Sequence, residues 1–219
     1  MPYRHLLLTI SPPSFRDSAF PLPSSARSLR PVIFDQSGDE RLPAWVERLP
    51  PRPTVYATMG TVVNKVPGTL EAIVSGLRDE SITLIVTTGR DRDPAVFGPQ
   101  PPNVHIERYV PQSLLLPFCD LVITHGGTGT VMAALDHGLP MVILPIAADQ
   151  PDNARRCTEL GVAIAVYPEE RTPETIRAAT RKVLTDPGYR ENAVRLQDEM
   201  QAMPGPAHAV ALLERLAER

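Results

Sequence analysis

The residues best suited to chemistry fall into four short clusters. The first is His125-Gly126-Gly127-Thr128-Gly129-Thr130. A β-rich run, Asp120–Thr124, leads directly into it, and a helical stretch, Thr128–Asp136, leads out. That order aims free backbone N–H groups and the positive end of a helix dipole at one point, which is the chemistry of an anion site. Glycines let a phosphate come close to the backbone, Thr128 and Thr130 add hydroxyls, and His125 can donate a ring N–H. The same residues also read as a tight strand-to-helix turn that binds nothing. The dinucleotide-binding fingerprint fits poorly: the glycine spacing differs and no acidic residue closes a following strand. No Gly-Lys-Ser/Thr follows, so a P-loop is excluded.

The second cluster is Pro145-Ile146-Ala147-Ala148-Asp149-Gln150-Pro151-Asp152-Asn153-Ala154. An adjacent carboxylate and carboxamide, Asp149 and Gln150, supply the acceptors and donors that neighbouring sugar hydroxyls need. On the residues alone, Asp149 or Asp152 as cap of a helix over 151–160 is the better account. The third cluster is Arg108-Tyr109-Val110-Pro111-Gln112, where Tyr109 can stack on a base and the Val110 backbone can read its edge; a surface turn before a helix is the plainer reading. The fourth is Met59-Gly60-Thr61, with Gly60 permitting close approach at a strand end.

The elements that must hold these clusters alternate. Thr54–Met59, Ile82–Thr87, Val104–Ile106, Asp120–Thr124, Met141–Leu144 and Val162–Val166 read as strands. Between them lie helices: Leu70, Ile73, Val74 and Leu77 have amphipathic spacing within 68–78, Pro111 opens a short helix through Leu116, and 128–136 and 151–160 are closed by Gly138 and Gly161. Thr172 caps a helix with Pro173 at its first position. Tyr189–Met200 and His208–Ala217 complete a helical tail. The fold expected is α/β: a Rossmann-like parallel sheet with helices on both faces. Ligands of such sheets sit beyond the carboxyl ends of the strands, where all four clusters fall.

Residues 1–50 differ in kind. Most of the early prolines, from a total of 25, recur there among serines and arginines, which rules out a long helix or a central strand. We expect one short strand at Leu6–Ile10, a short helix near Pro43–Leu49, and otherwise an extended connector. The net charge of −3 without a basic stripe argues against nucleic acid as partner. No apolar run approaches the roughly 18 residues of a spanning helix. Cys119 and Cys157 have no metal spacing, which fits a reduced cytoplasm. No metal site is expected.

Tyr-Val-Pro-Gln, then His-Gly-Gly-Thr-Gly-Thr, then Ala-Asp-Gln-Pro-Asp-Asn-Ala, in that order, resembles the C-terminal domain of family 1, GT-B fold glycosyltransferases, the bacterial natural-product branch in particular. The resemblance is closest over residues 50–190. It implies a remnant of an N-terminal domain plus proline-rich linker at 1–50 and a donor-binding domain at 51–219. It implies that Tyr109 stacks on a uracil or thymine ring, where many relatives have tryptophan, that Val110 bonds the base through its backbone, and that Gln112 completes this loop. His125 then contacts the diphosphate, Gly127, Thr128, Gly129 and Thr130 hold phosphate, Asp149 and Gln150 bind sugar hydroxyls, and Gly60 and Thr61 meet the donor from the first strand. No cofactor is implied; the donor substrate is a dTDP- or UDP-sugar.

Family members are inverting enzymes whose histidine general base lies in an N-terminal domain. His5 is no substitute, because it sits in the remnant. The chain by itself is therefore expected to bind donor without completing transfer, as a fragment or as one subunit of a split enzyme, with an acceptor-binding half in cis or in trans. A nucleotide-sugar epimerase fragment of similar architecture ranks lower. The last helix, with Val210, Leu213 and Leu216, is expected to be displaced, frayed, or packed on a second copy in a homodimer, since its family partner is the N-terminal domain.

Overall fold

The computed structural model describes residues 4–35, 38, 40–60 and 66–218. The chain begins with two short strands, β1 (Leu7–Thr9) and β2 (Ala26–Ser28), paired in parallel with Leu7 opposite Ala26. The expected strand at Leu6–Ile10 is thus present, and its partner comes from a Ser/Pro-rich stretch with no strand pattern. The short helix expected at Pro43–Leu49 is a single 3-10 turn, Val46–Arg48.

From Thr54 the chain alternates strand and helix. β3 (Thr54–Thr58), β4 (Thr83–Thr87), β5 (Val104–Glu107), β6 (Leu121–Thr124), β7 (Met141–Ile143) and β8 (Ala163–Ala165) form one six-stranded sheet, ordered β5-β4-β3-β6-β7-β8, every pair parallel. β3, β4, β6 and β7 are buried throughout, the last three being rich in Val, Ile and Leu, while the edge strands β5 and β8 are only partly buried. Burial on both faces is what covering helices require of a parallel sheet.

Two apolar layers do the covering. On one face α1 (Thr69–Leu77) and α5 (Pro173–Thr185) pack Leu70, Ile73, Leu77, Ile176 and Val183 onto Val55, Leu84 and Ile123. On the other, α2 (Gln112–Leu115), α3 (Thr128–Asp136), α4 (Gln150–Glu159) and α6 (Pro187–Gln201) bury Leu115, Met132, Cys157 and Leu196 against Tyr56, Ile85 and Met141. Phe15 and Val46 belong to this second layer, so part of the first fifty residues is built into the core. Arg156 fastens that segment by donating from Nε to the Phe15 carbonyl at 2.9 Å.

The local signals act where their chemistry places them. Gly138 and Gly161, at φ of 61° and 67°, end α3 and α4 in the left-handed turn that glycine adopts without steric penalty. Thr172 Oγ1 accepts the Thr175 N–H at 3.2 Å, a cap of about 1 kcal/mol for α5.

The final helix, α7 (Pro206–Ala217), is complete and has no buried residue. It is neither frayed nor detached: Leu212 and Leu216 face Leu6 and Arg27 across a shared cavity of about 450 Å³. The expectation of fraying is corrected, because the β1–β2 pair gives the helix a surface to lie beside. Val210 and Leu213 remain about half exposed.

Candidate functional site

The sheet order sends the chain one way after β3 and the other way after β6. The loops leaving these two adjacent strands therefore separate and leave a crevice, the usual ligand position in this topology. A cavity of about 430 Å³ lies there. It takes Gly60 from the end of β3, Tyr109, Val110 and Gln112 after β5, His125, Gly127, Gly129 and Thr130 after β6, and Asp149 and Gln150 after β7. Sequence-distant clusters thus converge because every β-to-α loop of a parallel sheet emerges at the same edge. Thr61 lies outside the described residues. A cavity of about 490 Å³ also opens at the β8 edge by Tyr167 and Tyr189, but the helix start there is already capped by Asp186, whose Oδ1 accepts the Gly188 N–H at 3.1 Å.

His125 is held edge to edge by glycine. A Cβ on Gly60 would lie 2.5 Å from His125 Cε1, and one on Gly127 would lie 2.7 Å from Nε2. Gly60 also has φ of 73°. These two glycines therefore make room for the imidazole. Gly126 serves packing as well, since its Cβ would meet Ile143 Cγ2 at 2.7 Å. Gly129 alone in the loop opens onto empty space, with nothing within 4 Å of where a Cβ would be. Burial depresses the His125 pKa, against a smaller raising effect of the Asp149 charge. The ring is then neutral at pH 7, with Nδ1 3.3 Å from Thr124 Oγ1.

Asp149 opens α4 but makes no side-chain cap on it. Its Oδ2 instead accepts the Thr128 N–H at 3.2 Å, the Thr128 hydroxyl at 2.6 Å and Asn153 Nδ2–H at 2.9 Å. The Thr128 hydroxyl bond is the main reason its pKa lies below the ordinary carboxylate value. Thr128 thus contributes through Asp149, outside the cavity lining. Asn153, given no role from sequence, also donates to the Gly126 carbonyl at 2.9 Å and so ties the two loops together.

Gln150 is buried and its amide oxygen is engaged: Oε1 accepts the Ile146 and Ala147 N–H groups at 2.8 and 3.0 Å. That grip folds the β7–α4 loop tightly enough to hold Ala148 at φ of 57°. A non-glycine residue there costs roughly 1–2 kcal/mol, and such strain concentrates at functional sites.

At the other end Tyr109 is about half exposed, and its hydroxyl donates to the main-chain carbonyl of Asp35. Desolvation raises its pKa. Tyr56 forms the floor, its hydroxyl 3.1 Å from Thr87 Oγ1, with burial pushing its pKa up to about 12. Asp35, Tyr56 and Thr87 also stand in this wall, with no local motif to mark them. Among the described residues, the one arginine in the lining, Arg108, is paired with Asp93 at 3.2 Å, and two carboxylates, Asp35 and Asp149, share the wall. The crevice therefore offers an anion backbone N–H groups at the start of α3 rather than side-chain charge.

The fold is that of the C-terminal half of a GT-B glycosyltransferase. Residues 74–216 match the erythromycin biosynthesis protein CIII-like C-terminal domain, and the chain belongs to that family of glycosyltransferase domains. It is 34% identical over 216 residues to the 4'-demethylrebeccamycin synthase of Lentzea aerocolonigenes, covering 98% of this chain and 50% of that protein. It is 32% identical to the 3-alpha-mycarosylerythronolide B desosaminyl transferase of Saccharopolyspora erythraea, covering 91% of this chain and 48% of that one. The chain spans about half the length of these relatives. Among solved structures, glycosyltransferase VinC in complex with DTDP superposes with a TM-score of 0.85 at 31% identity, over 98% of this chain and 52% of that one. Spinosyn rhamnosyltransferase SpnG complexed with thymidine diphosphate gives 0.85 at 30%, over 95% and 56%. Among the described residues no helix is long and apolar enough to cross a membrane.

Proposed function

We propose that residues 51–219 bind the nucleoside diphosphate of a dTDP- or UDP-sugar, as the donor half of an inverting natural-product glycosyltransferase. Residues 1–50 then carry the end of the acceptor half and the connector. The observation that supports this most is the convergence of the base loop, the glycine loop and Asp149 on one crevice at the strand switch point. The two solved neighbours named above, with thymidine diphosphate or DTDP bound, favour the same ligand class.

Each residue has a defined task in this reading. Tyr109 stacks on the pyrimidine, the Val110 backbone meets its edge and Gln112 lies beside it. The N–H groups of Gly129 and Thr130 and the hydroxyl of Thr130 hold the diphosphate, and His125 donates a ring N–H to it. Asp149 accepts sugar hydroxyls. In transfer, the acceptor oxygen attacks the anomeric carbon as the bond to the diphosphate breaks. The charge that develops on the departing diphosphate is met by the α3 N-terminus and His125. The general base that takes the acceptor proton belongs to the other half, in cis or in trans. This chain alone binds donor and does not turn it over.

The test is thermal stability of the chain titrated with dTDP, UDP, GDP and NAD. Ligand at about a hundred times its dissociation constant stabilises by about 2.7 kcal/mol, several degrees for a chain of this size. A shift with dTDP or UDP that is lost in His125→Ala is expected. A shift with NAD alone overturns the reading.

A further inference from the structure

A residue far from the glycine loops reaches the base end of the cavity. Asp35 lies in the extended segment before β3, yet it lines the same wall as Tyr109 and Gln112. It makes three contacts there. Its Oδ2 accepts the Ser113 N–H at 3.0 Å, its Oδ1 accepts the Ser113 hydroxyl, and its main-chain carbonyl accepts the Tyr109 hydroxyl. Ser113 is the second residue of α2, so the carboxylate serves as an N-cap donated from outside the helix.

These contacts have a geometric consequence. The loop 108–112 is anchored by buried Val110 and by the Gly89 N–H on the Arg108 carbonyl, but α2 lacks a cap of its own: it is a single turn, and its preceding residue Pro111 makes no side-chain cap. Asp35 clamps both ends of the loop, the Tyr109 ring at one side and the start of α2 at the other. A ring tethered through its hydroxyl is held in one position, its long axis fixed between Cβ and the bonded oxygen, and a base stacks only where a ring is held to receive it. Cutting the orientational freedom of a contact residue before ligand arrives is pre-organisation, which raises affinity without a new contact.

The geometry points to Asp35 as a positioning residue for the donor base, one that makes base affinity depend on the connector preceding the donor-binding domain. The inference rests on the donor reading given above. When the connector moves, Asp35 leaves Ser113 and Tyr109 together, so the base site loosens as the two halves of the molecule change relation.

The experiment compares the unmodified chain with Asp35→Ala, Ser113→Ala, the double variant and Tyr109→Phe, by calorimetric titration with dTDP and thermal shift with inorganic pyrophosphate. Asp35→Ala is expected to weaken dTDP about tenfold, as loss of a charge-assisted hydrogen bond does. Ser113→Ala, which keeps the N–H bond, gives a smaller loss, and the double variant loses no more than Asp35→Ala, because both act on one clamp. Tyr109→Phe, which keeps the stacking face and loses the tether, also weakens dTDP. The pyrophosphate shift, which involves no base, stays as it is. Unchanged dTDP affinity in Asp35→Ala overturns the proposal, as do additive losses or a parallel fall for pyrophosphate. If pyrophosphate gives no shift in the unmodified chain, additivity decides. Failure of the unmodified chain to bind dTDP removes the donor reading itself, whereas binding that Asp35→Ala leaves intact removes only the clamp.

Discussion

The carboxylate of Asp149 caps a helix to which it does not belong, with Oδ2 accepting both the N–H and the hydroxyl of Thr128 at the start of α3. This bond places a negative charge at the helix end where the diphosphate is proposed to bind. Asp149→Asn is therefore expected to bind dTDP as well as the unmodified chain or more tightly, because charge repulsion is relieved. It is also expected to lose most of the extra affinity that a dTDP-sugar has over dTDP. Titration calorimetry with both ligands measures the difference, and an equal loss for the two would reduce Asp149 to a loop-building residue.

The same bond sets a pH dependence. The folded pKa of Asp149 lies below its unfolded value, so its contribution to stability is fully present above the unfolded pKa, about 4. It is lost as pH falls through the lower folded value. Melting temperature measured from pH 6 down to pH 3 is expected to fall less steeply in Asp149→Asn. Because Asp149 is exposed, the effect is small.

Gly129 separates stability from binding. Its Cβ position is empty and it lies in the first turn of α3, so Gly129→Ala fits the fold and stabilises the helix by up to about 1 kcal/mol. If phosphate sits against this backbone, the added methyl group excludes it. A melting temperature equal to or above that of the unmodified chain, with dTDP affinity reduced tenfold or more, is the expected pair of results. Undiminished affinity would put the phosphate elsewhere.

Gly60 and His125 are coupled sterically. Gly60→Ala meets both a left-handed backbone and the imidazole, and is expected to cost roughly 2 kcal/mol, about 4–8 °C in melting temperature. His125→Ala removes the clash and leaves the backbone strain. The double variant is thus expected to be more stable than the sum of the single losses predicts. Strict additivity would mean that the ring moves aside freely.

Trp45 gives an optical probe of how the first fifty residues dock. It is the only tryptophan, and it stacks on His105 with centroids 3.9 Å apart and planes 8° apart. Burial lowers the His105 pKa, so the ring charges only below the usual imidazole range, near 6.5. Tryptophan emission is expected to change with a midpoint below that value, and the transition is expected to vanish in His105→Phe. Emission independent of pH in the unmodified chain would mean that the stack is open in solution.

Much of this molecule was legible in the sequence because the signals were local. Thr128–Asp136 is a helix with those bounds, Gly138 and Gly161 stop helices, and Thr172 caps one. The six strands of the main sheet fall where apolar β-branched runs predict them, since a strand buried on both faces needs such a run. The order of the loop motifs then placed the site, because parallel strands send all their following loops to one edge. What failed was local reasoning about side chains with distant partners. Asp149 reads as a cap for α4 because it stands at its start, yet its carboxylate turns to α3. Gln150, expected to meet sugar hydroxyls, does line the crevice, but its amide oxygen also holds the Ile146 and Ala147 N–H groups, a loop-building role that no local pattern announces.

The sequence by itself determined the alternation of elements, their caps and stops, and the residue types available at the crevice, since each depends on a few neighbouring residues. Only the tertiary structure decided which of those residues meet. It paired β1 with β2, drew Phe15 and Val46 into the core, fitted His125 between Gly60 and Gly127, and laid Asp35 against Tyr109 and Ser113. These contacts join residues many positions apart, so they have no periodicity to read. They form only when the sheet and its two helical layers have closed, and packing then leaves one arrangement for each side chain.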